Sequence, residues 1–172
     1  MPDYQTDRQW SDKFITPLKH IIADLLIRPA PDAEDMQRNT DLIVFRVEAL
    51  RVACRVRRYQ YLQRYPHEFT IRAVRHNGSD TELAKLISGY GDYFVYAFAN
   101  ADETDLAAWR VINLSTFRLW FNQQLAKNAG RIPAKTQKNG DGSSDFYAFN
   151  VNDLPNTAIV REYGFPTHPT RI

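Results

Sequence analysis

The sequence predicts an α/β (α+β) domain in which a mixed central β-sheet is flanked by helices. Three observations carry that expectation. Phe14, Leu18, Ile21, Ile22 and Leu25 recur at helical spacing, which puts all five on one helix face. Between Asp41 and Val74 lie three short runs that are β-branched or strictly alternating, the pattern of strands. From Asp92 to Phe98 nearly every residue is apolar or aromatic, as in a strand covered on both faces.

The elements follow in order. Two starts suit the first helix: Thr16 as N-cap with Pro17 at the first helical position, or a start near Ser11 with a kink at Pro17. Pro29 and Pro31 end it, and residues 29–39 read as a connector with one helical turn near Glu34 to Gln37. Asp41 to Phe45, Arg51 to Arg57 and Glu68 to Val74 read as strands, with turn and loop around Val47 and from Tyr59 to Pro66. Ser79 and Glu82 have capping-box spacing, so a second helix is expected from Glu82 to Ser88, closed by Gly89. Two more strands, Asp92 to Phe98 and Leu106 to Leu114, precede a final helix capped by Ser115.

The order helix, three strands, helix, strand, strand, helix implies helices packed on a mixed sheet. Residues 1–125 read as the core domain. Residues 126–145, rich in Lys, Asn, Gly and Ser, read as a flexible loop. Residues 146–172 read as an edge strand, continued through Leu154 and Ile159, and a loose tail that pack on the core.

Composition narrows the functional classes. The chain has 172 residues, 44% apolar and 24% charged, with a net charge of only +2, so it bounds one globular domain with no global field for a polyanion. A lone cysteine, Cys54, excludes an internal disulfide and a multi-cysteine zinc site, and its strand position points it to the apolar face, where a buried cysteine is inert. The absence of a signal-like start and of an apolar run near 20 residues reads as a cytoplasmic protein without a membrane span. Glycine-rich phosphate loops, a GxSxG elbow and paired histidine ligand spacings are all missing.

Charge is nevertheless concentrated. From Arg46 to Arg75 eight arginines face two acids, Glu48 and Glu68, with Tyr59, Tyr61 and Tyr65 interleaved. Alternation puts Arg55 and Arg57 on one face of their strand, and Glu68, Thr70 and Arg72 on one face of theirs. If the three early strands are neighbours, one polar face gathers Asp41, Arg55, Arg57, Glu68, Thr70 and Arg72. Guanidinium groups suit phosphate oxygens, and Asp41 with Glu68 suits a divalent Mg2+ or Mn2+. The plainer readings stand beside this one. The arginines form a solvated sheet face, Asp41 opens a strand, Glu82 caps a helix, and Lys85 is a solvated helix residue or leans over the site to join the phosphate donors.

The element order, with Asp41 ahead of a polar strand, resembles the PD-(D/E)XK nuclease-like fold over about residues 11–123. That resemblance implies a metal-dependent phosphodiesterase with Asp41 and Glu68 as metal ligands and Arg72 where the family has lysine. The (D/E)xK triplet itself is absent: Thr70-Ile71-Arg72 and Arg55-Val56-Arg57 are the nearest matches, and arginine holds its proton too tightly to act as a base. The chain also looks like a small bacteriophage or prophage protein. Two functions follow as expectations: a divergent nuclease that binds or cleaves nucleic acid, or a non-catalytic module, such as a phage accessory or inhibitor protein. The second would contact nucleic acid, a nucleotide or a host protein through the arginines. A third is a structural protein of a larger assembly, in which segment 126–145 and the late edge strand exchange between subunits, a dimer being one form.

Overall fold

A computed structural model of the chain describes residues 4–29, 31, 42–44, 49–75, 81–138 and 144–165. Asp41, Ser79, the expected turn near Glu34 to Gln37 and the tail from Pro166 lie outside the described residues. The architecture is mixed α+β. In chain order the elements are α1 (Tyr4–Asp12), α2 (Ile15–Leu26), β1 (Ile27–Pro29), β2 (Leu42–Val44), β3 (Val52–Arg57), α3 (Gln60–Arg64), β4 (Glu68–Arg75), α4 (Glu82–Ile87) and β5 (Tyr93–Ala99). They continue with β6 (Leu106–Asn113), α5 (Leu114–Lys127), β7 (Lys135–Lys138), β8 (Ser144–Asn150), two 3-10 turns and β9 (Ile159–Tyr163).

The first helical region is two helices, a correction to both starts expected from sequence. Phe14 is the N-cap of α2 and has no side-chain cap. Pro17 falls third in that helix, where its missing N–H is one of the unpaired donors of any helix start; the first α2 bond, Leu18 N to Phe14 O, lies just beyond it. Two further caps differ from expectation. Thr81 caps α4 by accepting from Ala84 N, and Asn113, not Ser115, caps α5 by accepting from Ser115 N and Thr116 N. Gly89 closes α4 as expected: at φ +95 it lets Tyr90 N reach back to Lys85 O, the six-to-one bond of a helix stop.

The early strands are not neighbours. β2 pairs with β1, β3 pairs with β5 in a four-stranded sheet of order β3-β5-β6-β9, and β4 pairs with β8 in a three-stranded sheet of order β4-β8-β7. The four-stranded sheet is mixed, parallel between β3 and β5 and antiparallel elsewhere. Its central strand β5 is buried on both faces, as its composition requires. Val95 and Ala99 pack with Phe14, Leu18 and Ile21 of the α2 region. Phe94, Tyr96 and Phe98 pack on the other side with Phe69, Ile71, Phe117 and Phe149. The layers are therefore α2, the four-stranded sheet, and a third layer made of the β4–β8 pair and α5.

Two late segments also depart from expectation. Lys135–Lys138 within the polar stretch is a strand, β7. It lies at a sheet edge with mostly exposed side chains, so it needs no apolar residues. Phe146 to Asn150 belongs to β8, the middle of its sheet and not an edge; the edge strand is β9, in the other sheet. Phe149, Leu154 and Ala158 share one core cluster with Phe69 and Phe94. Among the described residues no helix is long and apolar enough to cross a membrane.

Candidate functional site

Thr70 is the centre of the polar cluster. β4 carries it inward between the two larger sheets, and its side chain is buried. Arg57 Nη1 donates to Thr70 Oγ1 at 2.9 Å, and Arg55 Nη1 lies 3.0 Å from Thr70 O and 3.3 Å from Thr70 Oγ1. With both lone pairs of Oγ1 facing guanidinium donors, its proton goes to Tyr96 Oη, 3.2 Å away. Arg55 is held on its other side by Glu82, whose Oε2 lies 2.8 Å from Nη2 and also accepts from Arg72 N at 2.9 Å.

Glu82 is thus an ion-pair partner, which its capping-box spacing concealed: Thr81 does the capping and leaves the carboxylate free for Arg55. Burial lowers the pKa of Arg55 below its ordinary value. Glu82 and Tyr96 oppose that shift, while the charges of Arg72 and Arg57 add to it. Among the described residues Glu82 forms its ion pair with Arg55 alone, and the half-buried Arg57 and Arg72 guanidinium groups beside it have no acid in ion-pair range.

Arg55, Arg57, Arg72 and Glu82 of this cluster line a cleft of about 1080 Å3 that also involves α1 and the edge of β3. α1 contributes Trp10 and the pair Arg8 and Asp12, 4.0 Å apart, and the link to α2 contributes Lys13. Trp10 ties α1 to the body: its Nε1 donates to Glu103 Oε2 at 2.7 Å, Arg58 pairs with the other oxygen of Glu103, and the Arg58 guanidinium lies 5.0 Å from the Trp10 ring centroid. Arg57 lies 4.3 Å from the Tyr61 ring centroid and 5.9 Å from that of Phe146. Among the described residues no acid comes into ion-pair range of Lys13, Arg57 or Arg72.

The residues expected from sequence divide accordingly. Arg55, Arg57, Thr70 and Arg72 come together, although two crossing sheets and not one sheet face bring them there. Glu68 does not join them, because β7 brings Lys135 Nζ within 3.3 Å of its Oε1. Lys85 is exposed on α4 and does not line the cleft. Asp41 lies outside the described residues. Trp10, Arg58, Glu103 and Phe146 were not singled out from sequence; the only signal was aromatic residues near basic ones, which is common on surfaces.

Cys54 corrects another expectation. It lies on the α2 side of β3, but β3 is an edge strand there and Cys54 is exposed, lining the cleft. Even so, desolvation by the surrounding protein pushes its thiol up, to about 11. Water reaches the residue, so the direction is what matters: a raised pKa means less thiolate at a given pH, and the thiolate is the reactive form. Alkylation of Cys54 by iodoacetamide at pH 8 is expected to run at least about tenfold slower than that of free cysteine and to rise steeply above pH 9. A rate equal to free cysteine at pH 8 would contradict this environment.

Arg110 lies deeper, at 1% exposure. Its Nη2 donates to Pro66 O at 2.7 Å, its guanidinium lies 3.6 Å from the Phe165 ring centroid, and its Nε and Nη1 have no hydrogen-bond partner. Burial lowers its pKa to about 10 while Glu162 opposes the shift, so it stays charged at neutral pH.

The described carboxylates do not fit a divalent metal. Glu68 faces Lys135, Glu82 faces Arg55, and among the described residues no three His, Cys, Asp or Glu side chains gather as ligands. Oxygen-rich sites for such ions need several carboxylates or carbonyls on one centre, and no metal-dependent step rests on these groups. Comparison with known proteins returned no matching family, no matching curated protein and no matching solved structure.

Proposed function

We propose that the protein binds nucleic acid through its phosphates in the arginine-lined cleft. One observation carries this reading: Arg55 and Arg57 meet on Thr70 with Arg72 close by, and among the described residues Glu82 is their one acidic neighbour and pairs with Arg55. A half-buried group of like charges repels itself and is relieved by an anion. Arg55 is paired with Glu82, so Arg57 and Arg72 are the cations offered to ligand, and Lys13 lines the same cleft. Guanidinium forks match phosphate oxygens in two-point contacts.

In this reading the nuclease-like element order expected from sequence serves as a binding scaffold. Cleavage would require Asp41 and Glu68 to share Mg2+ or Mn2+, and the Lys135 contact at Glu68 argues for binding without it. A host protein is the competing partner, and salt separates the two.

The test is the affinity of a labelled single-stranded oligonucleotide across roughly 50–200 mM salt. Binding is expected to weaken steeply with salt, and Arg57→Ala with Arg72→Ala to flatten the log–log slope by roughly 1.4, two contacts at about 0.7 each. A parent slope near zero, or an unchanged slope in the double variant, rejects the proposal. Adding Mg2+ or Mn2+ to the same mixtures tests cleavage: the binding reading expects the strand to remain intact, and fragments lost on Asp41→Ala would restore the nuclease reading.

A further inference from the structure

We infer that the cleft takes an unpaired strand by its sugar–phosphate backbone and makes no use of the bases. This rests on the phosphate-binding reading above and adds which strand is taken and how it is held. Aromatic rings beside arginines in a strand-binding groove ordinarily serve as stacking platforms for bases. Here each of the three rings lining the cleft, Trp10, Tyr61 and Phe146, has a guanidinium over it, that at Phe146 being Arg57 at 5.9 Å. Tyr61 has the Arg57 guanidinium 4.3 Å from its centroid and packs against the core cluster on its other contacts. Trp10 has Arg58 at 5.0 Å and meets Phe14 edge-on at 5.0 Å. A face covered by a guanidinium is closed to a base. The rings instead fix the planes of the two arginines, which makes Tyr61 a positioning residue.

The edge of β3 points the same way. Five consecutive residues, Cys54 to Arg58, line the cleft. Successive side chains of a strand alternate between faces, so a run of five meets the cleft only along the strand's edge. Among the described strands β3 is the outermost of its sheet and pairs with β5 alone. A backbone N–H on a strand edge is a donor that a phosphate oxygen can use whatever base it carries.

Burial of the arginines favours a single strand over a duplex. The Arg55 side chain is 19% exposed, and Arg57 and Arg72 beside it are half-buried. Duplex DNA is stiff, with a persistence length of about 50 nm, and carries its phosphates on a convex surface, whereas a single strand bends to meet recessed donors.

Three labelled probes of about 15 nucleotides, near the upper site size of single-strand grooves, test the inference at one low salt concentration: oligothymidylate, an abasic oligomer of the same backbone, and the oligothymidylate duplex. The abasic oligomer is expected to bind within about threefold of oligothymidylate, and the duplex at least about tenfold more weakly. Base stacking on rings would cost the abasic probe roughly fivefold or more for each base lost. Tyr61→Leu, which keeps apolar packing but frees Arg57, should weaken both single-stranded probes by the same factor. A loss above about tenfold for the abasic probe, equal binding of the duplex, or a Tyr61→Leu effect confined to the base-bearing strand overturns this inference alone. If no probe binds at low salt, the phosphate-binding reading falls with it.

Discussion

Replacing Phe69 with alanine is expected to lower folding stability by about 3–5 kcal/mol. Phe69 is fully buried, and its ring centroid lies 5.3 Å from Phe149, 5.7 Å from Phe117, 6.3 Å from Tyr96 and 6.4 Å from Phe94. It is the point where β4, β5, β8 and α5 meet. Removing the ring loses its transfer free energy and leaves a cavity walled by other rings, which cannot collapse far without leaving their rotamers. The neighbouring residue is Thr70, so the same loss should loosen the Arg55 and Arg57 contacts and weaken strand binding. Urea unfolding with the slope held equal to the parent measures the first effect. A stability change below about 1 kcal/mol would mean that Phe69 is not the centre of this core.

Glu82→Gln should separate stability from binding. The glutamine keeps the size and can still accept from Arg72 N, but it removes the charge that pairs with Arg55 at 2.8 Å. With both side chains about one-fifth to one-quarter exposed, the loss falls between the values for surface and buried pairs, about 2 kcal/mol. Among the described residues the same change leaves Arg55, like Arg57 and Arg72, without an acid in ion-pair range. Single strands should therefore bind at least as tightly as to the parent, and the salt slope should steepen. A metal-ligand role for Glu82 predicts the opposite, a loss of affinity or activity with no steepening. Unchanged unfolding together with a fall in strand affinity beyond about threefold would refute the ion-pair assignment.

Several features were legible beforehand because they are local. The apolar run of β5 implied burial on both faces, and alternation correctly grouped Arg55 with Arg57 and Thr70 with Arg72. Gly89 marked the end of α4. What alternation cannot supply is the neighbour of each strand. β4 pairs with β8, about 75 residues on, and nothing in Glu68 to Arg75 names that partner. The expectation of three adjacent early strands followed chain proximity, and it failed because β3 and β4 each joined the sheet that packs its own apolar face into a core cluster.

The same distinction explains the site residues. Glu68 and Thr70 share a strand face by period, yet Glu68 is reached by Lys135 from a strand inside the polar stretch, where composition suggested only loop. Glu82 had a sufficient local explanation in its cap spacing, and only the arrival of Arg55 from another sheet gave it a different role. Cys54 was placed on the correct side of β3 but taken as buried, because periodicity does not say where the covering helix ends.

Residue order alone specifies the type of each element and which side chains lie together on it, since those depend on dihedral preference and on spacings of a few residues. The pairing of sheets, the ion pairs of Glu68 and Glu82, and the cleft beside α1 depend on burial summed over the whole chain. Contacts such as Arg55 to Glu82 arise between groups that no local rule connects, and the folded chain brings them together because leaving either charge half-buried and alone would cost more than the pairing.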